Sequence, residues 1–169
     1  MQLELASKDF LNLREVGGVG PWLDVLTYRI RGAGTDQDLL QNMITSRWYD
    51  YSYAEPRRSH PSTRSGIHGP YDLAKITPEV FVATDGDHAR AKILAWSEIP
   101  PESPTDFSDR FNDLLRVAFH GTCTVYELPD MRECAEHSWG AVVGSTGFLE
   151  FVSISEARDF LTLVVASDD

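Results

Sequence analysis

Two short pairs of histidine and cysteine are the residues of this chain best suited to bind a metal ion. His120 and Cys123 are separated by two residues. Cys134 and His137 have the same spacing, and ten residues lie between the two pairs. Tetrahedral zinc is bound by nitrogen and sulfur ligands of this kind, and a helix over 130–138 would place Cys134 and His137 on one face. The spacing therefore predicts a zinc-stabilised domain as one interpretation.

A simpler interpretation of these residues needs no metal. The intervening residues Val125, Tyr126 and Leu128 are typical of a core strand rather than of a zinc-binding loop. A cysteine is often buried as a small apolar side chain, and a histidine near the end of a helix interacts favourably with the helix dipole. We therefore expect no cofactor, with zinc as the alternative.

Few residues are arranged for catalysis. The chain contains no G-x-S-x-G motif, no H-E-x-x-H motif and no phosphate-binding-loop lysine. Cys123 or Cys134 beside a histidine has the chemistry of a nucleophile and its base, but no third group is in place to orient the base. The best catalytic candidates are Cys134, His137, His120 and Asp87. We expect a protein that is not an enzyme, and a small enzyme with an unrecognised site is the alternative.

Four aromatic residues follow one another closely in the chain: Trp48, Tyr49, Tyr51 and Tyr53. Tyrosine and tryptophan are enriched at protein interfaces, so this aromatic segment is a candidate surface for recognising a partner. The alternative is that the rings cover the core while their hydroxyl groups remain in water.

The segment from Arg57 to Pro70 contains three arginines, two histidines and two prolines but no acidic residue. Long polar loops are often functional or disordered, so we expect a flexible, exposed basic loop at residues 56–70. The guanidinium groups of Arg57, Arg58 and Arg64 are suited to clamp an anion. Simple disorder, or loose pairing with the acidic part of the chain, is the alternative.

The negative charge is concentrated in the C-terminal part of the chain. The net charge is −11, and residues 98–169 hold 14 acidic and 4 basic side chains, whereas residues 1–97 hold 12 and 11. Such a field repels nucleic acid and anionic membranes and attracts basic proteins. The acidic candidates for contact with a basic partner are Glu150, Glu156 and Asp159. Solubility alone would also explain an acidic surface.

The elements that must position these residues centre on a hairpin at the end of the chain. Residues 148–154 and 160–166 are two runs rich in β-branched and aromatic residues, separated by the polar turn 155–159. In the second run Leu163 and Val165 alternate with the equally apolar Val164, so both faces of this strand are apolar. We therefore expect it to lie inside a sheet that is covered on both sides.

Further elements are predicted upstream of this hairpin. Residues 22–31 alternate as a strand, and a helix over 36–47 follows, with Thr35 as its N-cap. Residues 79–96 predict a second hairpin with a turn at 85–86, and residues 106–119 a helix with a wide apolar stripe. The last elements before the closing hairpin are predicted to be a strand at 122–128, a short helix to about 138 and a strand at 139–143.

Together these patterns predict one α+β domain over residues 1–169, with a mostly antiparallel sheet built from hairpins and two amphipathic helices packed on it. Two cysteines do not make a disulfide framework, and the N-terminus has no basic stretch followed by an apolar one, so we expect a cytoplasmic protein. The leading functional hypothesis is an acidic protein-interaction module, such as an inhibitor or immunity-type protein that neutralises a basic toxin domain or nuclease.

Overall fold

A six-stranded antiparallel sheet is the main feature of the computed structural model. The structure describes residues 1–13, 21–51, 53, 66–97, 105–121, 123–131 and 147–167, and at 105–107 it describes only the backbone. The strands in chain order are β1 (Gln2–Asn12), β2 (Trp22–Arg31), β3 (Ile67–His68), β4 (Tyr71–Asp72), β5 (Val82–Thr84), β6 (Cys123–Leu128), β7 (Phe148–Ser155) and β8 (Phe160–Ser167). The main sheet has the order β1-β2-β8-β7-β6-β5, and β3 pairs with β4 separately.

The helices lie on the two faces of this sheet. They are α1 (Asp36–Ile44), α2 (Gly86–Ser97) and α3 (Thr105–Ala118), with short 3-10 helices at Leu73–Lys75 and Pro78–Val80. The predicted α+β class with a mostly antiparallel sheet is confirmed. Within the described ranges, no helix is both long and apolar enough to cross a lipid bilayer.

The closing hairpin occupies the middle of the sheet, as its two-sided apolar pattern predicts. Leu163 and Val165 of β8 pack into a core under α1 and the aromatic segment, which we call the α1 face. Val164 and Ala166 pack into a second core with α2 and α3 on the opposite face. Because β8 pairs with β2 on one side and with β7 on the other, no backbone edge of the hairpin's second strand is open.

Two upstream elements lie where they were predicted, although helix α1 ends at Ile44 and not at residue 47. β2 has the predicted bounds, and its apolar residues divide between the two cores, with Leu26 on the α1 face and Leu23 opposite. Thr35 caps α1 through its side chain, which accepts a hydrogen bond from the amide of Asp38, whose carboxylate in turn accepts one from the amide of Thr35. This reciprocal pair satisfies amides that the first turn of a helix leaves free.

The prediction of a second hairpin at 79–96 is wrong. β5 ends at Thr84, and helix α2 begins at Gly86. The carboxylate of Asp85 caps this helix by accepting a 2.7 Å hydrogen bond from the amide of His88. Ala89, Ile93 and Trp96 are all buried and spaced at helical intervals of four and three residues. The Asp-Gly pair that is typical of a hairpin turn therefore starts a helix here, because the buried stripe that follows has a helical period.

Helix α3 carries the predicted stripe, with Phe111, Leu115 and Ala118 buried against the sheet. Gly121 follows in the left-handed conformation, with φ of +66°, as expected after the end of a helix. The N-terminal segment Gln2–Asn12 forms strand β1. The helix predicted before residue 138 and the strand predicted at 139–143 lie outside the described residues, apart from 130–131, which are not helical.

Candidate functional site

His68 and Glu150 form a buried pair on the α1 face. His68 is the last residue of β3, and Glu150 lies on the central strand β7. The histidine Nε2 lies 2.5 Å from Glu150 Oε2, and both side chains are fully shielded from solvent. The second carboxylate oxygen, Oε1, accepts a 2.7 Å hydrogen bond from the hydroxyl of Tyr49. Three side chains that are distant in sequence are thus joined in one buried cluster.

The geometry determines how many protons this pair holds. His68 Nδ1 lies 2.6 Å from the backbone carbonyl of Tyr49, which can only accept, so Nδ1 carries a hydrogen. Two bare lone pairs would repel at 2.5 Å, so one proton lies between His68 Nε2 and Glu150 Oε2. Whichever atom holds it, the pair has no net charge. A pair without net charge suits an interior where a lone charge is strongly unfavourable.

Aromatic rings enclose the imidazole on three sides. Tyr49 stacks on His68 with ring centroids 3.6 Å apart and planes inclined by 4°. Tyr53 and Phe148 point their rings edge-on at the same imidazole, at 5.6 and 5.7 Å. At Gly69, φ is +52° and a Cβ would lie 2.5 Å from the ring of Phe148. The turn after His68 can approach Phe148 this closely because residue 69 has no side chain.

Backbone hydrogen bonds hold the aromatic segment beside β3. The amide of Gly69 donates to the carbonyl of Tyr51 at 2.9 Å. The amide of Gly66 donates to the carboxylate of Asp50 at 3.0 Å. Together with the contact from His68 to the carbonyl of Tyr49, these bonds place two separate segments side by side over the sheet.

A second buried carboxylate lies in the same row of the sheet. Asp24 of β2 is opposite Val165 of β8, and Val165 is opposite Glu150 of β7. Since directly opposite residues point to the same face, both carboxylates lie on the α1 face with one apolar residue between them. Lys8 of β1 lies 3.4 Å from Asp24, but neither carboxylate oxygen of Asp24 has a hydrogen-bond partner in the described part of the chain.

Burial sets the protonation of this cluster. It raises the pKa of Asp24 to about 6, and the nearby Lys8 opposes this shift only in part. Burial also raises the pKa of Tyr49 and of Tyr53 well above the usual range, and the neighbouring carboxyl groups, Glu150 for Tyr49 and mainly Asp24 for Tyr53, add to the effect. Burial raises the pKa of Tyr28 in the same way. These phenols therefore remain protonated at neutral pH, so their hydroxyls are available as donors.

A carboxylate that orients an imidazole is one component of general-base catalysis. Here, however, both ring nitrogens of His68 are engaged by protein groups, Tyr49 on one side and Glu150 on the other. Neither nitrogen is left to take a proton from a substrate in this conformation. The arrangement instead connects the aromatic segment and β3 to the central strand.

A shallow groove of about 490 Å³ lies near the C-terminal end of α1. Its walls are apolar at Ile44, Leu73 and Ile76, and the carboxylate residues Asp50 and Asp72 also line it. The Asp72 carboxylate accepts a hydrogen bond from the amide of Ala74 and so caps the first 3-10 helix. The groove combines apolar walls with negative charge.

The aromatic segment lies mainly in the core. Tyr49, Tyr51 and Tyr53 are buried, so a partner bound at the surface would not touch them in this conformation. The hydroxyls of Tyr49 and Tyr53 are not in water as the alternative interpretation expected, since Tyr49 donates to Glu150 and Tyr53 is fully buried. Trp48 is half-buried, with the guanidinium of Arg47 4.5 Å from its ring.

The charged candidates fall into three groups. Glu150 is buried in the polar cluster and is not available at the surface, whereas Glu156 and Asp159 are exposed in the turn between β7 and β8. Arg57, Arg58 and Arg64 lie outside the described residues. The loop was predicted to be exposed over residues 56–70, but its last residues, 68–70, are buried.

The metal and catalytic candidates are only partly described. His120 is exposed after α3, and Cys123 is a half-buried free thiol at the start of β6. Cys134 and His137 lie outside the described residues, so the four-ligand site stays a prediction. Asp87 is exposed in the first turn of α2. In the described ranges, no three histidine, cysteine or acidic residues are grouped to hold a metal.

Sequence reasoning did not single out His68, Asp24 or Lys8. Asp24 had a usable signal, because it stands on the same face of a strand as Trp22 and Leu26 and so had to be buried. His68 had no such signal, since its Ser-Gly-Ile-His-Gly-Pro context is typical of a loop.

Comparison of the chain with models of protein families, with curated protein sequences and with solved structures finds no match.

Proposed function

We propose that this chain is an acidic protein-interaction module that binds a basic partner protein, as an inhibitor or immunity-type protein does. The observation that carries the proposal is the charge distribution: residues 98–169 hold 14 acidic and 4 basic side chains. Exposed members of this set lie on regular elements of the fold, among them Asp109 and Asp113 on α3 and Glu156 beside β7. Negative potential on a rigid frame attracts a basic surface and orients it before contact.

The outer face of α3 supports this proposal. Asp109 and Asp113 are one helical turn apart, and like charges at this spacing slightly destabilise a helix. Arg116 offsets only Asp113, at 3.1 Å, and Asp109 forms no ion pair with the described residues. The outer face of α3 therefore carries negative charge that the described residues compensate only in part, which supports attraction to a basic partner.

The turn between β7 and β8 is a second acidic surface with a fixed shape. The carboxylate of Asp159 accepts a 2.6 Å hydrogen bond from the hydroxyl of Ser155, and the carbonyl of Asp159 accepts one from the amide of Ile30. Arg158 donates to Asp36 and to the carbonyl of Gly34, which attaches the turn to the start of α1. A preorganised surface loses little conformational entropy on binding.

The groove beside α1 adds a feature that suits a basic side chain. Its apolar walls at Leu73 and Ile76 match the hydrocarbon stem of an arginine or lysine, and Asp72 supplies a carboxylate for the charged end. The nearby C-terminal end of α1 carries the negative end of the helix dipole and has no basic residue in its last turn.

The test compares two double variants of equal net charge. Asp109→Asn/Asp113→Asn removes charge from α3, and Glu4→Gln/Glu79→Gln removes the same charge from exposed sites in residues 1–97. Proteins retained by the immobilised chain at low salt would be identified, and the affinity of each purified candidate would be measured at about 50 and 500 mM salt.

The proposal expects a basic binding protein whose affinity falls steeply with salt. It also expects the α3 variant to bind at least about 10-fold more weakly than the wild type, and the Glu4→Gln/Glu79→Gln variant to bind almost normally. A binding protein with equal affinity at both salt concentrations, or equal losses in both variants, would argue against electrostatic recognition through the C-terminal part.

A further inference from the structure

The carboxylate of Asp24 is buried on the α1 face, one strand in from the edge of the main sheet. Asp24 belongs to β2, and its neighbour on the open side is β1, where Phe10 is its directly opposite residue. The Asp24 side chain is 1% exposed, and neither of its oxygens accepts a hydrogen bond from the described residues. Its cation is Lys8 of β1, at 3.4 Å and 24% exposed. The group that compensates this charge therefore belongs to the edge strand itself.

The surroundings of Asp24 offer little else to stabilise its charge. Lys8 also lies 5.3 Å from the ring centre of Tyr51, so the ammonium is held between a carboxylate and an aromatic face. The titratable and charged groups around Asp24 are Lys8 and Asp9 from β1, Tyr28 from β2, Tyr51 and Tyr53 from the aromatic segment, and Glu150 from β7. Among the described groups Lys8 is the cation that favours ionisation of Asp24, and the nearby Asp9 opposes it.

We propose that β1 is a detachable edge strand whose docking on β2 is controlled by the ionisation of Asp24. Protonated Asp24 is compatible with burial beside the docked β1, whereas ionised Asp24 has Lys8 of β1 as its one cation among the described residues. Release of β1 would bring the ionised carboxylate into water and remove the desolvation that opposes its charge.

The direction of the pH dependence follows from linkage. Burial raises the pKa of Asp24 from its usual value of 3.8 to about 6 while β1 is docked, and exposure would return it toward 3.8. The docked state thus binds the proton more tightly than the released state. Docking is therefore strongest at low pH and weakens as the pH rises through 6.

Release would uncover a strand that can recognise another chain. β2 pairs with β1 along ten residues, from Trp22 to Arg31, and these backbone groups would become a free sheet edge. The segment that fits this edge in register is β1 itself, so β1 of a second copy is the strand that would pair there by strand exchange. β1 already carries one irregularity, a shift in register between Leu5 and Ser7, where its pairing with β2 is interrupted.

Amide hydrogen exchange of the full chain at pH 5.0 and 7.5 tests whether β1 is released as the pH rises. The exchange rates are corrected for the intrinsic effect of pH, and the amides of β7 and β8 serve as the internal reference. If the pKa of Asp24 is about 6 in the docked state and 3.8 in the released state, protection of the β1 amides falls about 10-fold between the two pH values. Asp24→Asn should remove this fall, since the amide does not titrate. Glu4→Gln, which removes the exposed ion pair between Glu4 and Arg31 on the same strands, should preserve it.

Equal protection of β1 at the two pH values in the wild type would overturn the proposal, as would an unchanged pH response in Asp24→Asn. If Asp24→Asn does not fold, Lys8→Gln tests the same proposal by a different outcome. Without its cation Asp24 should be harder still to ionise, so the fall in β1 protection should exceed that of the wild type. A fall no larger than in the wild type would also overturn the proposal.

Discussion

Glu150 Oε2 lies 2.5 Å from His68 Nε2 in the interior, and this contact connects the central strand β7 to a two-residue strand 82 positions earlier in the chain. The same carboxylate accepts a hydrogen bond from the hydroxyl of Tyr49. One side chain therefore joins the central sheet to two segments that cover its α1 face, β3 and the aromatic segment. Segments as short as β3 and β4 have little stability of their own. Their position over the sheet therefore depends on this polar contact and on the aromatic packing around it.

We expect Glu150→Ala to lower the free energy of unfolding by about 3–5 kcal/mol, because it leaves the buried imidazole and the Tyr49 hydroxyl without their partner. Glu150→Gln should cost less, about 1–2 kcal/mol, since a glutamine can still accept from Tyr49 and donate to His68 Nε2. Urea denaturation of both variants measures the difference. The exposed change Glu4→Gln is the control, and equal effects of the alanine and glutamine variants would contradict this account of the pair.

The buried Asp24 predicts an unusual pH dependence of stability. Because its pKa is raised from 3.8 to about 6, the folded protein binds the proton more tightly than the unfolded chain. The difference in unfolding free energy between the wild type and Asp24→Asn should therefore shift against the wild type by about 2.4 kcal/mol from pH 4 to pH 7. Denaturation curves across that range provide the measurement. A constant difference would show that Asp24 has an ordinary acidity in the fold.

Gly69 should be sensitive to the smallest added side chain. Both Gly69 and Gly121 adopt positive φ, at +52° and +66°, so an alanine at either position is strained. At Gly69 the added Cβ would lie 2.5 Å from the ring of Phe148, whereas at Gly121 it would meet no atom of the described residues within 4 Å. We expect Gly69→Ala to cost about 1–3 kcal/mol more than Gly121→Ala in thermal or urea unfolding. Equal costs would mean that the Phe148 ring moves aside freely.

Helix α3 provides a test of the second core. Phe111 is fully buried, so Phe111→Ala should lower the unfolding free energy by about 3–5 kcal/mol and Phe111→Asp should abolish the cooperative thermal transition. Val117 lies on the same helix but is 64% exposed, and Val117→Ala should change stability by less than about 0.5 kcal/mol. A Phe111→Asp variant that melts like the wild type would show that this stripe does not face the core.

The elements that local pattern predicted well are those whose burial is uniform along their length. β2 and the closing hairpin belong to this group, because a strand near the centre of a sheet needs apolar residues on one or both faces and so carries a strong signal. α1 was recognisable from Thr35, whose cap is a purely local interaction. The segment 79–96 was misassigned, because its Asp-Gly pair suits both a hairpin turn and the start of a helix.

The candidate site was less predictable than the fold. Tyr49 and Tyr53 were predicted either to form a recognition surface or to cover the core, since tyrosine occurs both in cores and at interfaces. Glu150 looked like one of several surface carboxylates, and nothing in its neighbourhood in the chain identifies His68 as its partner.

The sequence by itself determined the α+β class, the central position of the closing hairpin and the concentration of negative charge in residues 98–169. Only the tertiary structure decided which charged groups are exposed and which are buried, as for Glu156 and Glu150 only six residues apart. The physical reason is that hydrophobic periodicity and charge are local properties of a chain. A buried polar group is stable only beside its partner, and that partner is supplied by the folding of distant segments onto the same face of the sheet.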